Sequence, residues 1–233
     1  MNTTATKSRS TAWIIAVVAL AVLGIAAIAF ATTRKGSTTK VDTGSSSNAA
    51  GVTTTGAAAV SVATTPGQSV FPVTVQGAAL EALPLKGSDP AVGKAFPELS
   101  GTSLLTGQPL AISRDGRAKL ILFVAHWCPH CQREVPVVQS WLTANPPKGF
   151  DVYGISTGVD EAKGNYPPLA WLAKEKWSAP TLADSSQVGA AKAAGLSGYP
   201  FFVAVDKKGN VLARASGELT VDKLNDLAAK LAV

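Results

Sequence analysis

Leu120-Ile121-Leu122-Phe123-Val124-Ala125-His126-Trp127-Cys128-Pro129-His130-Cys131 holds the only two cysteines in this chain of 233 residues. Its first six residues are an unbroken apolar run of strand length, of the kind buried on both faces of a sheet. A helical stretch runs from Cys131 to about Ala144, and Pro136 inside it is expected to introduce a kink. Two cysteines two residues apart, between a strand and a helix, form the arrangement of a thiol–disulfide redox site. No further cysteine is present to act as a structural staple, so the sulfur pair works as a unit.

Outward from this stretch the sequence alternates between strand and helix patterns. Val70 to Val75 reads as a short strand, and Ala111 with its neighbours precedes a turn at Asp115-Gly116. Asp151 to Ser156 is a second buried-strand candidate, and Pro167-Pro168 opens a helix through Trp171 and Leu172. Gln187 to Ala194 is a short helix stopped by Gly195. Phe201 to Val205 and Val211 to Ala215 flank Lys207-Lys208-Gly209-Asn210 as a hairpin. Thr220 caps a last helix with an apolar stripe of Val221, Leu224, Leu227, Ala228 and Leu231. This order predicts an α/β domain, a central mixed sheet flanked by helices. The tryptophans other than Trp127 read as core.

Ahead of the domain, residues 12–31 carry no charge over a length that crosses a hydrocarbon core. We read them as a transmembrane signal anchor behind a cytoplasmic tail of residues 1–11. Ala29-Phe30-Ala31 keeps a cleaved signal peptide open as the alternative. Residues 32–69 are rich in Thr, Ser, Gly and Ala and cannot bury enough surface to offset ordering entropy, so they read as a disordered tether. Up to Val70 there are five basic residues against one acidic, so most of the net charge of +6 lies outside the domain. No basic cluster with interleaved aromatics suggests nucleic acid. A basic segment beside anionic headgroups accounts for the charge.

Trp127-Cys128-Pro129-His130-Cys131 after a buried strand, with Gly198-Tyr199-Pro200 about 70 residues later and a hairpin beyond, resembles the thioredoxin superfamily. Gly93 to Gly101 (GKAFPELSG) and Cys128 to Pro136 (CPHCQREVP) resemble its TlpA/ResA-like branch. The Pro129-His130 dipeptide is the one found in DsbA-type periplasmic oxidases. The resemblance covers residues 86–233, leaving 70–85 as an N-terminal β extension. It implies a thioredoxin-like fold and an extracytoplasmic thiol–disulfide oxidoreductase without a cofactor. Its substrates would be protein thiols or disulfides, and its electrons would pass to or from a redox partner in the membrane.

It also implies roles for particular residues. Cys128, at the amino end of a helix, is the exchanging sulfur, because free N–H groups and the helix dipole favour negative charge there. Cys131, one turn in, resolves the mixed disulfide. His130 tunes the pair; thioredoxin and DsbA differ by about 150 mV, about 7 kcal/mol, so the residues between the cysteines matter. Trp127, Pro129, Tyr199 and Pro200 line the substrate site, with Tyr199 offering backbone and Pro200 expected as a cis proline. Thioredoxin-like relatives carry a buried acid six residues before the first cysteine, where this chain has Leu122. Glu134, three residues after Cys131, matches the acid of the ResA-like branch and is the acid/base candidate; a solvated helix-face glutamate is the alternative. His126 and His130 beside the cysteines could bind a metal adventitiously, but a strand end and a helix start cannot wrap one ion tetrahedrally, so no metal is expected. Pro129-His130 turns the reading to the oxidase direction. A TlpA/ResA-like reductase in cytochrome c maturation or cysteine maintenance is the alternative, and a redox-inactive tethered binding module the alternative of a different class.

Overall fold

The structure, a computed structural model, describes residues 67–232. The tail, the anchor and residues 32–66 of the tether therefore lie outside the described residues. Among those described, no helix is long and apolar enough to cross a membrane.

The elements run β1 (Thr74–Gln76), β2 (Glu98–Thr102), β3 (Pro109–Ile112), β4 (Ala118–Val124), α1 (Pro129–Ala144), β5 (Phe150–Ser156), α2 (Pro168–Lys174), β6 (Thr181–Ala183), α3 (Gly189–Ala193), β7 (Phe201–Val205), β8 (Val211–Ser216) and α4 (Val221–Leu231). Five strands form the central sheet in the order β6-β5-β4-β7-β8. All seven residues of β4 are buried, six of them apolar and the seventh, Lys119, with its ammonium donating to Arg117 O at 2.9 Å. Leu120, Leu122 and Val124 pack on the face shared with Val135, Val138 and Trp141 of α1 and Leu224 and Leu227 of α4. Ile121 and Phe123, one register step away, pack on the other face with Leu99, Ile112 and Ala190. The period of two places one hydrophobic set on each side, and both are covered. This is the thioredoxin-like α/β architecture with a central mixed sheet.

Pairing directions decide where the chemistry is assembled. β4 runs parallel to β5 and antiparallel to β7, and β8 is antiparallel to β7. The carboxyl ends of β4, β5 and β8 and the amino end of β7 therefore share one edge of the sheet. The loop into α1, the 157–167 loop, the turn at Gly198–Pro200 and the 217–220 loop all meet there.

Several local expectations shift. The first strand is Thr74–Gln76 rather than Val70 to Val75, because Phe71 is buried as a loop anchor and its N–H bonds Asp184 O at 3.3 Å. It pairs with β2, which pairs with β3, in a separate antiparallel sheet. β2 and β6 escape a sequence reading: one has the weak strand sequence Glu-Leu-Ser-Gly-Thr, the other only three residues. α1 begins at Pro129 and continues through Pro136 to Ala144. The short α3 spans only Gly189–Ala193, because Val188 before it has φ 52°. Thr220 caps α4, its side chain accepting from Lys223 N–H at 3.3 Å. In that helix Leu224, Leu227 and Leu231 are buried while Val221 is exposed. Trp141, Trp171 and Trp177 are core residues, as read.

Candidate active site

Cys128 is the N-cap of α1, and Pro129 occupies the first turn, where a missing N–H costs nothing. Both cysteines are free thiols. Cys131, one helical position row deeper, is fully buried, whereas Cys128 retains 5% exposure. Burial pushes the Cys131 thiol up, and the nearby Cys128 and Glu134 push it in the same direction. One sulfur thus sits at the surface edge of the helix terminus with the other behind it.

Tyr199-Pro200 is a cis peptide, as expected, and it faces the pair. The Cys128 Sγ lies 3.9 Å from the Tyr199 carbonyl oxygen, within the range of a weak S–H donation. Pro200 is buried and Tyr199 half-buried. The Tyr199 ring stands edge-on to Trp127 at 5.9 Å between centroids. Trp127 donates its indole N–H to Gly158 O at 2.6 Å. Gly158 has φ 59°, and a Cβ there would come within 2.8 Å of the Tyr199 hydroxyl, so glycine allows both aromatics to close on this loop.

Pro129 and His130 are exposed on the helix terminus. His130 Nδ1 lies 2.6 Å from Glu218 Oε1 and 2.8 Å from Arg133 Nη2. The first contact needs a proton on Nδ1 and the second a lone pair, so a single proton decides which partner the ring keeps. Arg133 Nε also donates to Glu218 at 3.1 Å. The Arg133 guanidinium, with His130 beside it, holds the Glu218 carboxyl down at about 2.

Glu134 is not the solvated alternative: only 2% of it is exposed. Its Oε1 accepts the Leu219 N–H at 3.2 Å, tying α1 to the loop after β8. Burial raises its carboxyl to about 7, with the Glu218 charge adding and the Leu219 bond opposing. Leu122 is packed in the core at 1% exposure, so the acid position of the thioredoxin-like relatives is apolar here. The buried acid beside Cys131 comes from α1 instead.

Arg133, Glu218, Lys163 and Gly158 were not legible as site residues. Glu218 lies 85 positions from Arg133, and no spacing rule links a helix start to a loop so far away. Lys163 places its ammonium 4.1 Å above the Trp127 ring centroid, from a loop whose sequence carries no pattern.

The Redoxin family matches this chain over residues 91–231, well over half its length. Comparison with curated protein sequences gives no match. Among solved structures, a putative thiol:disulfide interchange protein DsbE from Chlorobium tepidum is 21% identical, with a TM-score of 0.51. The alignment covers 61% of this chain and 98% of that one. The thioredoxin domain of a Bacteroides vulgatus thiol-disulfide oxidoreductase is 22% identical over 61% of this chain and 99% of its own, with a TM-score of 0.49. A secreted Mycobacterium tuberculosis disulfide oxidoreductase is 24% identical over 57% of this chain and 95% of its own, with a TM-score of 0.47. With its two cysteines set at a helix terminus opposite a cis proline, the chain belongs to the Redoxin family and is a thiol–disulfide oxidoreductase.

Proposed function

We propose that this protein is a membrane-anchored, extracytoplasmic oxidoreductase of the TlpA/ResA type that exchanges disulfides with protein substrates through Cys128 and Cys131, acting as an oxidase. The observation that carries the exchange reading is Cys128 at the N-cap of α1, beside the Tyr199 carbonyl, with Cys131 buried behind it. A substrate thiolate attacks Cys128 Sγ, the Cys128–Cys131 bond breaks, and Cys131 leaves with the electron pair. Glu134 supplies the proton that the leaving sulfur needs in its dry surroundings. A second substrate thiolate then attacks the substrate sulfur of the mixed disulfide and releases Cys128. The substrate leaves with a disulfide, and the protein holds two thiols for a membrane redox partner to reoxidise. Trp127, Pro129, Tyr199 and Pro200 form the groove for the substrate chain.

The oxidase direction rests on Pro129-His130 at the mouth of the site. The His130 ring, with Nδ1 2.6 Å from Glu218 Oε1, sits between the two cysteines at the helix terminus, where a polar ring acts on the balance between the dithiol and the disulfide. The reduction potential tests this. We expect His130→Pro to lower it by several tens of millivolts, each 30 mV being about 1.4 kcal/mol, and to slow oxidation of a reduced unfolded protein. An unchanged potential removes His130 from the account. A wild-type value near that of thioredoxin supports the second reading, a TlpA/ResA-type reductase, which is favoured by Glu134 at the position of that branch's acid.

Anchoring rests on residues 12–31. The full chain is expected in the membrane fraction, resistant to alkaline wash, with the domain open to protease added outside. A soluble product beginning at Thr32 would show a cleaved signal instead.

A further inference from the structure

His126, next to the active-site tryptophan, takes no part in the exchange chemistry, yet it is almost completely buried, at 1% exposure. Its ring is bonded on both sides to one loop, the connection from β5 to α2. Nε2 accepts the Asp160 backbone N–H at 3.2 Å, so the ring proton is on Nδ1, which donates to Gly164 O at 2.8 Å. The His126 carbonyl accepts from the side-chain amide of Asn165, in the same loop, at 3.3 Å and from that of Gln132 of α1 at 3.0 Å. Tyr166 stands edge-on to the ring at 6.0 Å. The same loop carries Gly158, which receives the Trp127 indole N–H, and Lys163, which lies over the Trp127 ring.

We propose that His126 is a positioning residue that clamps the 158–166 loop against Trp127, and that the clamped loop, with the Lys163 ammonium on it, is the wall of the groove that selects protein substrates. Loops of this kind carry exposed backbone and are held by few contacts, so two ring-to-backbone bonds from one buried side chain weigh heavily in their order. Lys163 is half-exposed, and its nearest carboxylate, Asp160, is 3.5 Å away. It presents a cation beside the aromatic floor to any chain lying across Cys128. The proposal rests on the reading that Trp127 and Tyr199 line the substrate groove.

Two substitutions separate hydrogen bonding from packing. His126→Phe keeps the ring and loses both bonds; His126→Asn loses the ring but can still donate from its amide to Gly164 O. Trypsin cleavage after Lys163 and exchange of the Asp160 amide proton report loop order. KM and kcat for oxidation of a reduced protein report function. The expected order is a larger loosening in His126→Phe than in His126→Asn. KM should rise about tenfold in the former, with kcat changing less than about twofold, as two lost hydrogen bonds would give. The ¹⁵N spectrum of the wild-type imidazole should show the proton on Nδ1. The opposite order of loosening, or a ring protonated on Nε2, overturns the clamp. An unchanged KM in His126→Phe beside a raised KM in Trp127→Ala also overturns it and leaves the groove standing. An unchanged KM in both overturns the groove reading itself. Should His126→Phe fail to fold, Asn165→Gly serves, since Asn165 has φ 60° and glycine keeps that backbone while losing the amide contact. It should raise KM about two- to threefold, and an unaltered KM with a loosened loop counts against the proposal.

Discussion

Presented with a protein disulfide, the reverse of the proposed transfer, Cys131→Ser should join it through one sulfur and not release it. The Cys128 thiolate, at the helix terminus, still attacks that disulfide and expels one substrate sulfur, but the buried thiol that would then attack Cys128 Sγ and release the substrate is gone. Turnover should fall by at least about a thousandfold, as when a nucleophile that works in a unit is removed. A covalent complex should appear on non-reducing gels and vanish with reductant. Cys128→Ser should lose turnover equally and trap nothing, because Cys131 has no exposure through which a substrate sulfur could reach it. Trapping by the wrong cysteine would reverse the assignment of the two sulfurs.

Glu134→Gln is expected to have the second largest effect, slowing turnover by about a hundredfold through loss of general acid–base catalysis. In the oxidase direction the protonated carboxyl is the useful form, so the wild-type rate should fall as pH rises through about 7. In the reductase direction the carboxylate must take the Cys131 proton, and the rate should rise through the same region. The variant should lack either limb, because an amide does not titrate. Stability carries the same signature. The folded carboxyl holds its proton to about 7 while the unfolded one releases it near 4.5. The folded state therefore binds more protons across that window, and the reduced wild type loses stability as pH rises through it. The Gln variant escapes that loss while its amide oxygen can still accept the Leu219 N–H. Above pH about 7 its advantage should approach about 3 kcal/mol, read by urea unfolding of both reduced proteins at pH 5 and 8. A constant gap between them would show that Glu134 ionises like a solvated glutamate.

The strand, the cysteine pair and the helix after it were legible in the sequence because each depends on neighbours along the chain. The apolar run Leu120 to Ala125 in and just after β4 is one that no exposed segment would carry. The Tyr199-Pro200 turn was legible through the family resemblance, and the last helix through its own cap and stripe. What escaped depends on contacts between distant segments. Arg133 and Glu134 each hold the 217–219 loop, and nothing in the sequence of either partner marks the other. The hold of His126 on its loop was not legible because its partners are backbone groups, which every loop possesses. Glu134 had two readings of equal standing on a helix face, and only the packing of α1 against the loop after β8 buries it.

The two cysteines are also the whole of the chain's sulfur cross-linking capacity, and they close a ring of only a few residues. A reductant therefore removes no long-range tie from the fold, and the domain passes between its two oxidation states without losing a structural bridge. Oxidation state and folding then form a closed thermodynamic cycle. Any oxidising power that the folded site holds above an unstructured peptide of the same sequence must equal the margin by which the dithiol form resists unfolding better than the disulfide form. An oxidase built this way grows more heat-resistant on delivering its disulfide, so part of the drive for each transfer resides in the conformational stability of the whole domain.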